Sequence, residues 1–306
     1  MRSVVWFQAG DSRVVVGAEP RPSGPRETVV DIHVSVLSPG TERARLLGLP
    51  TAAVAFPHVP GYLAAGRVRG GVTRVALRGA GHQSVAIGRP GEVHEVPDGV
   101  SLTDAAVWQL AITALYGLEV GGQRAGEPVG VVGAGLLGII VRRLAAIRGA
   151  GVVLARARSA AKAWACRAEP ATVFSVDRWD IGPPLVLDVT GTPEGLGIAL
   201  AAVAAGGTVV VLGSPRAASA QVPLRSAYDR GVQVVGAHTV NLDADRTAAL
   251  SRSFFEGAGA FTISDVLEEH PAENAPLVYR RLVGDRAFIG AALLWRQARS
   301  TSCASA

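Results

Sequence analysis

One segment, VGVVGAGLLGIIVRRLAAIRGA (129–150), constrains this 306-residue chain more than any other. It sets Gly133-x-Gly135-x-x-Gly138 directly after an apolar run and at the opening of an amphipathic helical pattern, with a second apolar run, GVVLA, close behind. The first glycine permits a tight turn, the second lets a pyrophosphate approach the backbone, and the third lets helix and strand pack closely. Backbone N–H groups around Gly135, Leu136 and Leu137, together with the helix dipole, form an anion site. With strand, turn, helix and next strand all in place, the segment reads as a dinucleotide-binding βαβ unit.

The end of the second strand selects between cofactors. An NAD site places an acidic residue about 20 positions beyond the glycines, and here that place holds Arg156, followed by Arg158 and Ser159. No acidic residue occurs between Glu127 and Glu169, whereas seven basic ones do. Guanidinium forks pair with a 2′-phosphate that a carboxylate would repel. NADP(H) is therefore expected in preference to NAD(H).

Around this unit the chain changes style. Residues 29–36, VVDIHVSV, alternate apolar and polar, and strand-like runs recur at 4–7 and 84–87. A helix is expected from Ser101 to about Val120, with Ser101 as N-cap and Asp104 in the capping-box position. Beyond Gly122 the runs VGVV, GVVLA, PLVLDV, GTVVVLG and VQVVGAH are nearly unbroken and separated by helix-length segments. That is the pattern of an α/β fold with a doubly wound parallel sheet. From about Phe261 the pattern is mixed again and ends in FIGAALLW, so the C-terminal segment is expected to return to the first domain.

Composition removes other classes. The chain is 49% hydrophobic and 18% charged, enough for a packed core, and its 37 glycines and 18 prolines follow no period. A net charge of +5 without aromatic platforms argues against a nucleic-acid partner. Two cysteines, Cys166 and Cys303, make no disulfide scaffold and no zinc spacing, which fits a reducing, cytoplasmic setting. The N-terminal run meets a charge at Asp11, so no signal-peptide core is expected. The charge-free stretch from Gly195 to Pro215 is long enough to span a membrane, but Gly206-Gly207 divides it into a helix and a buried strand. No membrane partner is expected.

Several segments, in order, resemble the medium-chain dehydrogenase/reductase family: SPGTERARLLG (38–48), VPGYLAAGRV (59–68), AAVWQLAITALYGL (105–118) and LDVTGTPEGLGIALAAVAAGGTVVVLG (187–213). The resemblance covers nearly the whole chain. It implies a β-rich, GroES-like catalytic domain over 1–119, completed by 259–306, and a Rossmann domain over 120–258. The zinc ligands of the family do not carry over. Its cysteine is matched by Pro39, its His-Glu pair by Tyr62 and Leu63, and its third ligand position falls near Gln109. Proline and leucine cannot ligate zinc, so no zinc is expected. The SPGTE segment resembles a zinc-free branch that includes quinone reductases, bacteriochlorophyllide dehydrogenases and tailoring enzymes of secondary metabolism.

Hydride transfer to a carbonyl or enone builds charge on oxygen, and without a metal preorganised donors must take it. The family match puts Thr41, Tyr62, Gln109 and Thr113 around the cleft. Tyr62 is the candidate donor, with packing as its alternative role; Gln109 and Thr41 are further candidates. Thr113, Thr190 and Gly213 are assigned to the cofactor side. His82 reads as structural, and Glu42 as orienting Arg45 or the cofactor or forming an internal ion pair. Asp188 and His238 end strands on the cofactor side. The expected function is a zinc-independent, NADP(H)-dependent oxidoreductase acting on an activated C=C or C=O of a small biosynthetic intermediate. Alternatives are alcohol/ketone interconversion on a cyclic substrate (a cyclitol or tetrapyrrole) and a non-catalytic dinucleotide sensor. The family also implies a homodimer joined through Rossmann edge strands, here GVQVVGAH (231–238).

Overall fold

The alternation at 29–36 produces an interior strand of a mostly antiparallel sheet. The computed structural model describes residues 1–157, 172–175, 179, 182–217, 219 and 221–295. Strands β1 (Arg2–Gln8) and β2 (Asp11–Val16) pair as a hairpin. Strand β3 (Thr28–Val36) runs into helix α1 (Pro39–Leu46), which opens on a proline where a missing N–H loses no helical bond. Strands β4 (Leu63–Val68), β5 (Arg74–Arg78), β6 (Val85–Gly88) and β7 (Val93–Glu95) follow.

The single helix expected over 101–120 is two: α2 (Leu102–Ala106) and α3 (Trp108–Val120), separated by a turn at Val107. Ser101 does cap the first, accepting the Asp104 N–H at 3.0 Å. Asp104 has a longer reach than a capping box, because its Oδ1 accepts the N–H groups of Ile263 and Ser264 at 2.6 and 2.9 Å. Helix α3 is apolar on nearly every face because it is wedged between other helices.

Then come β8 (Val129–Val132), α4 (Leu136–Ile147), β9 (Val153–Arg156), β10 (Thr172–Ser175), β11 (Leu185–Asp188), α5 (Pro193–Ala202), β12 (Thr208–Val211), α6 (Leu224–Asp229) and β13 (Gln233–Gly236). The strands form one parallel sheet in the order β10-β9-β8-β11-β12-β13. Every residue of β8 and β11 is buried, which is why these runs carry no polar alternation. The direction of winding reverses between β8 and β11, and ligands bind in the crevice outside such a switch point.

Helix α7 (Ala244–Gly257) packs on α3. Strand β14 (Glu268–Pro271), helix α8 (Ala275–Gly284) and strand β15 (Ala291–Leu294) carry the chain back to the first sheet, whose order is β14-β15-β3-β4-β5-β7 with β6 also on β3. One core joins both units, with Val34, Val36 and Leu63 against Trp108, Ile112 and Leu115 and the α4 residues Ile139 and Ile140. A second lies under β1, α1 and α8, around Trp6, Ile32, Leu46, Tyr279 and Trp295. Each such side chain contributes about 1.5–3 kcal/mol by leaving water. Among the described residues no helix is long and apolar enough to cross a membrane; the charge-free stretch is divided between α5 and β12.

Candidate functional site

The glycine turn sits at the switch point. Gly133 has φ +121°, and a Cβ there would come within 2.7 Å of Val189. A Cβ on Gly138 would lie 2.1 Å from the Gly133 carbonyl. Gly135 differs: it precedes the first residue of α4 with φ −89°, and a Cβ built on it meets nothing within 4 Å. Two glycines therefore close the turn, while the third opens it towards empty space. That is the shape a dinucleotide phosphate needs, and Leu136 and Leu137 supply the first turn of the helix behind it.

Arg156 ends β9, in register with Val132 of β8, and is half-buried. Arg158, Ser159, Cys166 and Cys303 lie outside the described residues. Thr190 is occupied locally: its N–H and hydroxyl donate to Asp188 Oδ1 at 2.9 and 2.7 Å. Asp188 is buried, and burial pushes its carboxyl above the usual value, against the opposing pull of those bonds. Gly213 brings the exits of β11 and β12 together, since a Cβ there would meet the Gly191 nitrogen at 2.5 Å. His238 is exposed and accepts the Val240 N–H at 3.0 Å, capping a short turn.

On the other side of the crevice the segment after β3 faces this turn. A Cβ on Gly290 would touch both the Leu37 carbonyl (3.5 Å) and Leu136 (3.7 Å), which places the two segments a side chain apart. Tyr62, immediately before β4, donates its hydroxyl to Ser38 Oγ at 2.8 Å. Burial raises the phenol above its ordinary value, and the neighbouring Ser38 and Thr41 hydroxyls draw it back. Three hydroxyls thus meet at the mouth of α1. Tyr62 and Thr41 were expected in the cleft; Ser38 was not, and its only signal was its place beside them in SPGTE.

Of the readings open for Glu42, the structure departs from the one towards Arg45 and keeps the internal one, with His82 as the buried partner. The Glu42 carboxylate is fully buried, accepting the Ser38 N–H on Oε1 at 2.8 Å and bonding His82 Nε2 through Oε2 at 3.1 Å. Tyr279 of α8 donates to the same Oε2. His82 Nδ1 lies 2.8 Å from Ser35 Oγ, which also accepts Trp295 Nε1–H at 2.9 Å. The donors and acceptors balance with the proton on His82 Nε2 and the Ser35 hydroxyl donating to Nδ1. The imidazole also carries the Tyr62 loop, because a Cβ on Gly61 would come within 2.8 Å of the ring. The network therefore fixes both ends of the Tyr62–Ser38 bond from below.

Gln109 is buried, with Nε2 donating to Thr239 at 3.2 Å and Oε1 left without a partner. The Thr239 hydroxyl can donate as well as accept, so turning the amide over would keep that bond and present an N–H instead. Thr113 gives its proton to the Gln109 carbonyl at 2.8 Å, one helical turn back, and keeps only acceptor capacity. A cavity of about 530 Å³ lies elsewhere, between β7 and α7, lined by His94, Glu95, Ser251 and Phe255 and by none of these residues. Among the described residues, no cluster of three or more His, Cys, Asp or Glu can hold a metal.

No protein-family model matches the sequence, and no curated protein matches it either. Its structure does have likenesses. A galactitol-1-phosphate dehydrogenase from Escherichia coli superposes with a TM-score of 0.82 at 16% identity, over 96% of this chain and all of the other (100%). An alcohol dehydrogenase from Thermus sp. ATN1 gives 0.81 at 20% identity over 97% and 100%. An acetophenone reductase from Geotrichum candidum NBRC 4597, in complex with NAD, gives 0.78 at 17% identity over 96% of each chain. At these identities what is shared is the fold: a Rossmann parallel sheet joined to a β-rich, GroES-like unit.

Proposed function

We propose that this chain is an oxidoreductase of the medium-chain dehydrogenase/reductase family that works without zinc, transferring hydride between NADP(H) and an activated C=C or C=O of a small molecule. The observation that carries this reading is the hydroxyl cluster of Tyr62, Ser38 and Thr41 across the crevice from the open face of Gly135. In zinc members of the family a metal stands at this place. Here Pro39 and Leu63 offer no ligand atom, so the donor set does not fit zinc and no step is drawn through one.

The residues of the turn do fit a dinucleotide. Gly133 to Leu137 would hold its pyrophosphate, and Arg156 would favour a 2′-phosphate over a free hydroxyl. Bound nicotinamide supplies or removes the hydride. The chain supplies the proton and the charge stabilisation. Tyr62 keeps its proton through the neutral range, because burial has raised the phenol, and can turn it from Ser38 to an oxygen gaining charge. Ser38 then donates to the phenolic oxygen in return. Glu42 and His82 hold Ser38 and the Tyr62 loop still, so little reorganisation is needed at that moment.

The test is oxidation of NADPH against a panel of enones and ketones, in the parent and in Tyr62→Phe. Loss of this donor should lower kcat and kcat/KM together by about 100-fold, with NADPH affinity unchanged. Near-normal turnover in the phenylalanine variant would return Tyr62 to a packing role.

A further inference from the structure

Two arginines converge on the hydroxyl cluster from opposite sides of the crevice. Arg216 leaves the end of β12, anchored by its own N–H on the Gly191 carbonyl at 2.8 Å. Its guanidinium crosses to the first unit, where Nη2 lies 3.4 Å from the point at which a side chain on Gly40 would begin. Arg45 stands on α1, close enough for its charge to act on both Tyr62 and Arg216. Both arginines are half-buried.

Neither forms an ion pair or a side-chain hydrogen bond with any described residue. The obvious acid, Glu42, is two residues from Gly40 but turned into the core and filled by Ser38, His82 and Tyr279. Arg43, on the same helix, shows the contrast: its guanidinium is spent on the Leu282 and Asp285 carbonyls. Two like charges held in a half-buried crevice without a counter-charge repel one another. An oxyanion placed between them removes that repulsion and gains charge-assisted, bidentate bonds.

We infer that Arg45 and Arg216 receive an anionic group of the substrate, a carboxylate or phosphate monoester, and hold the reacting carbonyl or enone beside the Tyr62 hydroxyl. This rests on the functional reading above and narrows its substrate class to small oxyanions. Because one arginine belongs to each unit, the same anion bridges the crevice. The cofactor carries phosphates too, so the test separates the two sources.

Oxalate serves as the probe, being a dianion of suitable size that nicotinamide does not reduce. It is titrated calorimetrically into the NADPH-saturated parent, Arg45→Gln and Arg216→Gln, and NADPH affinity is measured separately for each. Neither substitution strands a partner, so melting temperatures should stay at the parent value. The expected result is saturable oxalate binding in the parent, weakened tenfold or more in both variants, with NADPH affinity within threefold. Absence of saturable binding in the parent, or parent-like affinity in both variants, overturns the inference. So does a tenfold loss of NADPH affinity in either variant, which would give the arginines to the cofactor. If the parent fails to bind NADPH, the functional reading falls by itself, and the same titration on the free protein still decides the arginines' role.

Discussion

Tyr279 donates its hydroxyl to Glu42, joining helix α8 to the segment that carries Ser38 across 237 positions of sequence. The carboxylate has three donors and no exposure, so its charge is held by hydrogen bonds from Ser38, His82 and Tyr279 together. Glu42→Gln puts an NH2 where an acceptor is required and leaves at least one donor unmet. A loss of about 3 kcal/mol is expected, read from the urea midpoint. Tyr279→Phe removes one donor of three and should cost about 1–3 kcal/mol. Unchanged midpoints in both would mean that the network contributes nothing to stability.

The glycine turn gives a sharper contrast. Gly135→Ala places a methyl group in open space at an ordinary φ, so the fold should be untouched. The same methyl occupies the approach of a pyrophosphate, and NADPH affinity should fall tenfold or more by fluorescence titration. Gly138→Ala drives its Cβ into the Gly133 carbonyl and should lower the melting temperature as well. An alanine at 135 with parent affinity would move the nucleotide elsewhere.

Asp188 imposes a pH dependence of known sign. Burial raises its native value, so between the unfolded value of about 3.8 and that higher native value the native state holds a proton that the unfolded chain has released. Stability therefore falls as pH rises through that interval and stays lower at neutral pH. Asp188→Asn keeps an acceptor for Thr190 and should melt higher than the parent at pH 7. The difference should close below about pH 3.8. A variant that melts lower at pH 7 would show that the carboxylate is stabilised by a charge it faces.

Strand β13 is an edge strand of the parallel sheet, and Val234 on it is 53% exposed. Leu224 and Tyr228 on α6, and Val240 just beyond, are more exposed still. An apolar edge of this kind invites pairing with its own copy, and a closed two-fold dimer is the expected outcome. Sedimentation should give a dimer at micromolar concentration and a monomer for Val234→Asp. A monomeric parent would refute it.

The parts of this molecule readable from sequence are those whose physics is local. Gly133, Gly135 and Gly138 act within six positions of one another, and the buried strands β8 and β11 announce themselves by unbroken apolar runs. Ser101 caps its own helix. What was not legible depends on distant partners. Asp104 looks like a capping-box residue, yet it mainly serves backbone N–H groups near 263. Glu42 sits beside Arg45 in sequence but bonds His82 and Tyr279. Strand β14, EEHP, has no apolar signature because only its pairing with β15 makes it a strand. Arg216 reaches Gly40 only because the fold sets the exit of β12 against α1, 176 positions away in sequence.

The return of β15 to β3 also sets the order in which a growing chain can become ordered. All strands of the parallel sheet have left the ribosome soon after Gly236, whereas β3, already able to pair with β4 and β6, lacks β15, and Ser35 and Glu42 lack Trp295 and Tyr279, until residues 279–295 have been made. At about 5–20 residues per second, the first-made unit waits roughly several seconds longer than the second. During that interval its polar core is open to water. The half synthesised later is thus free to fold earlier, and to serve as the surface on which the older half closes.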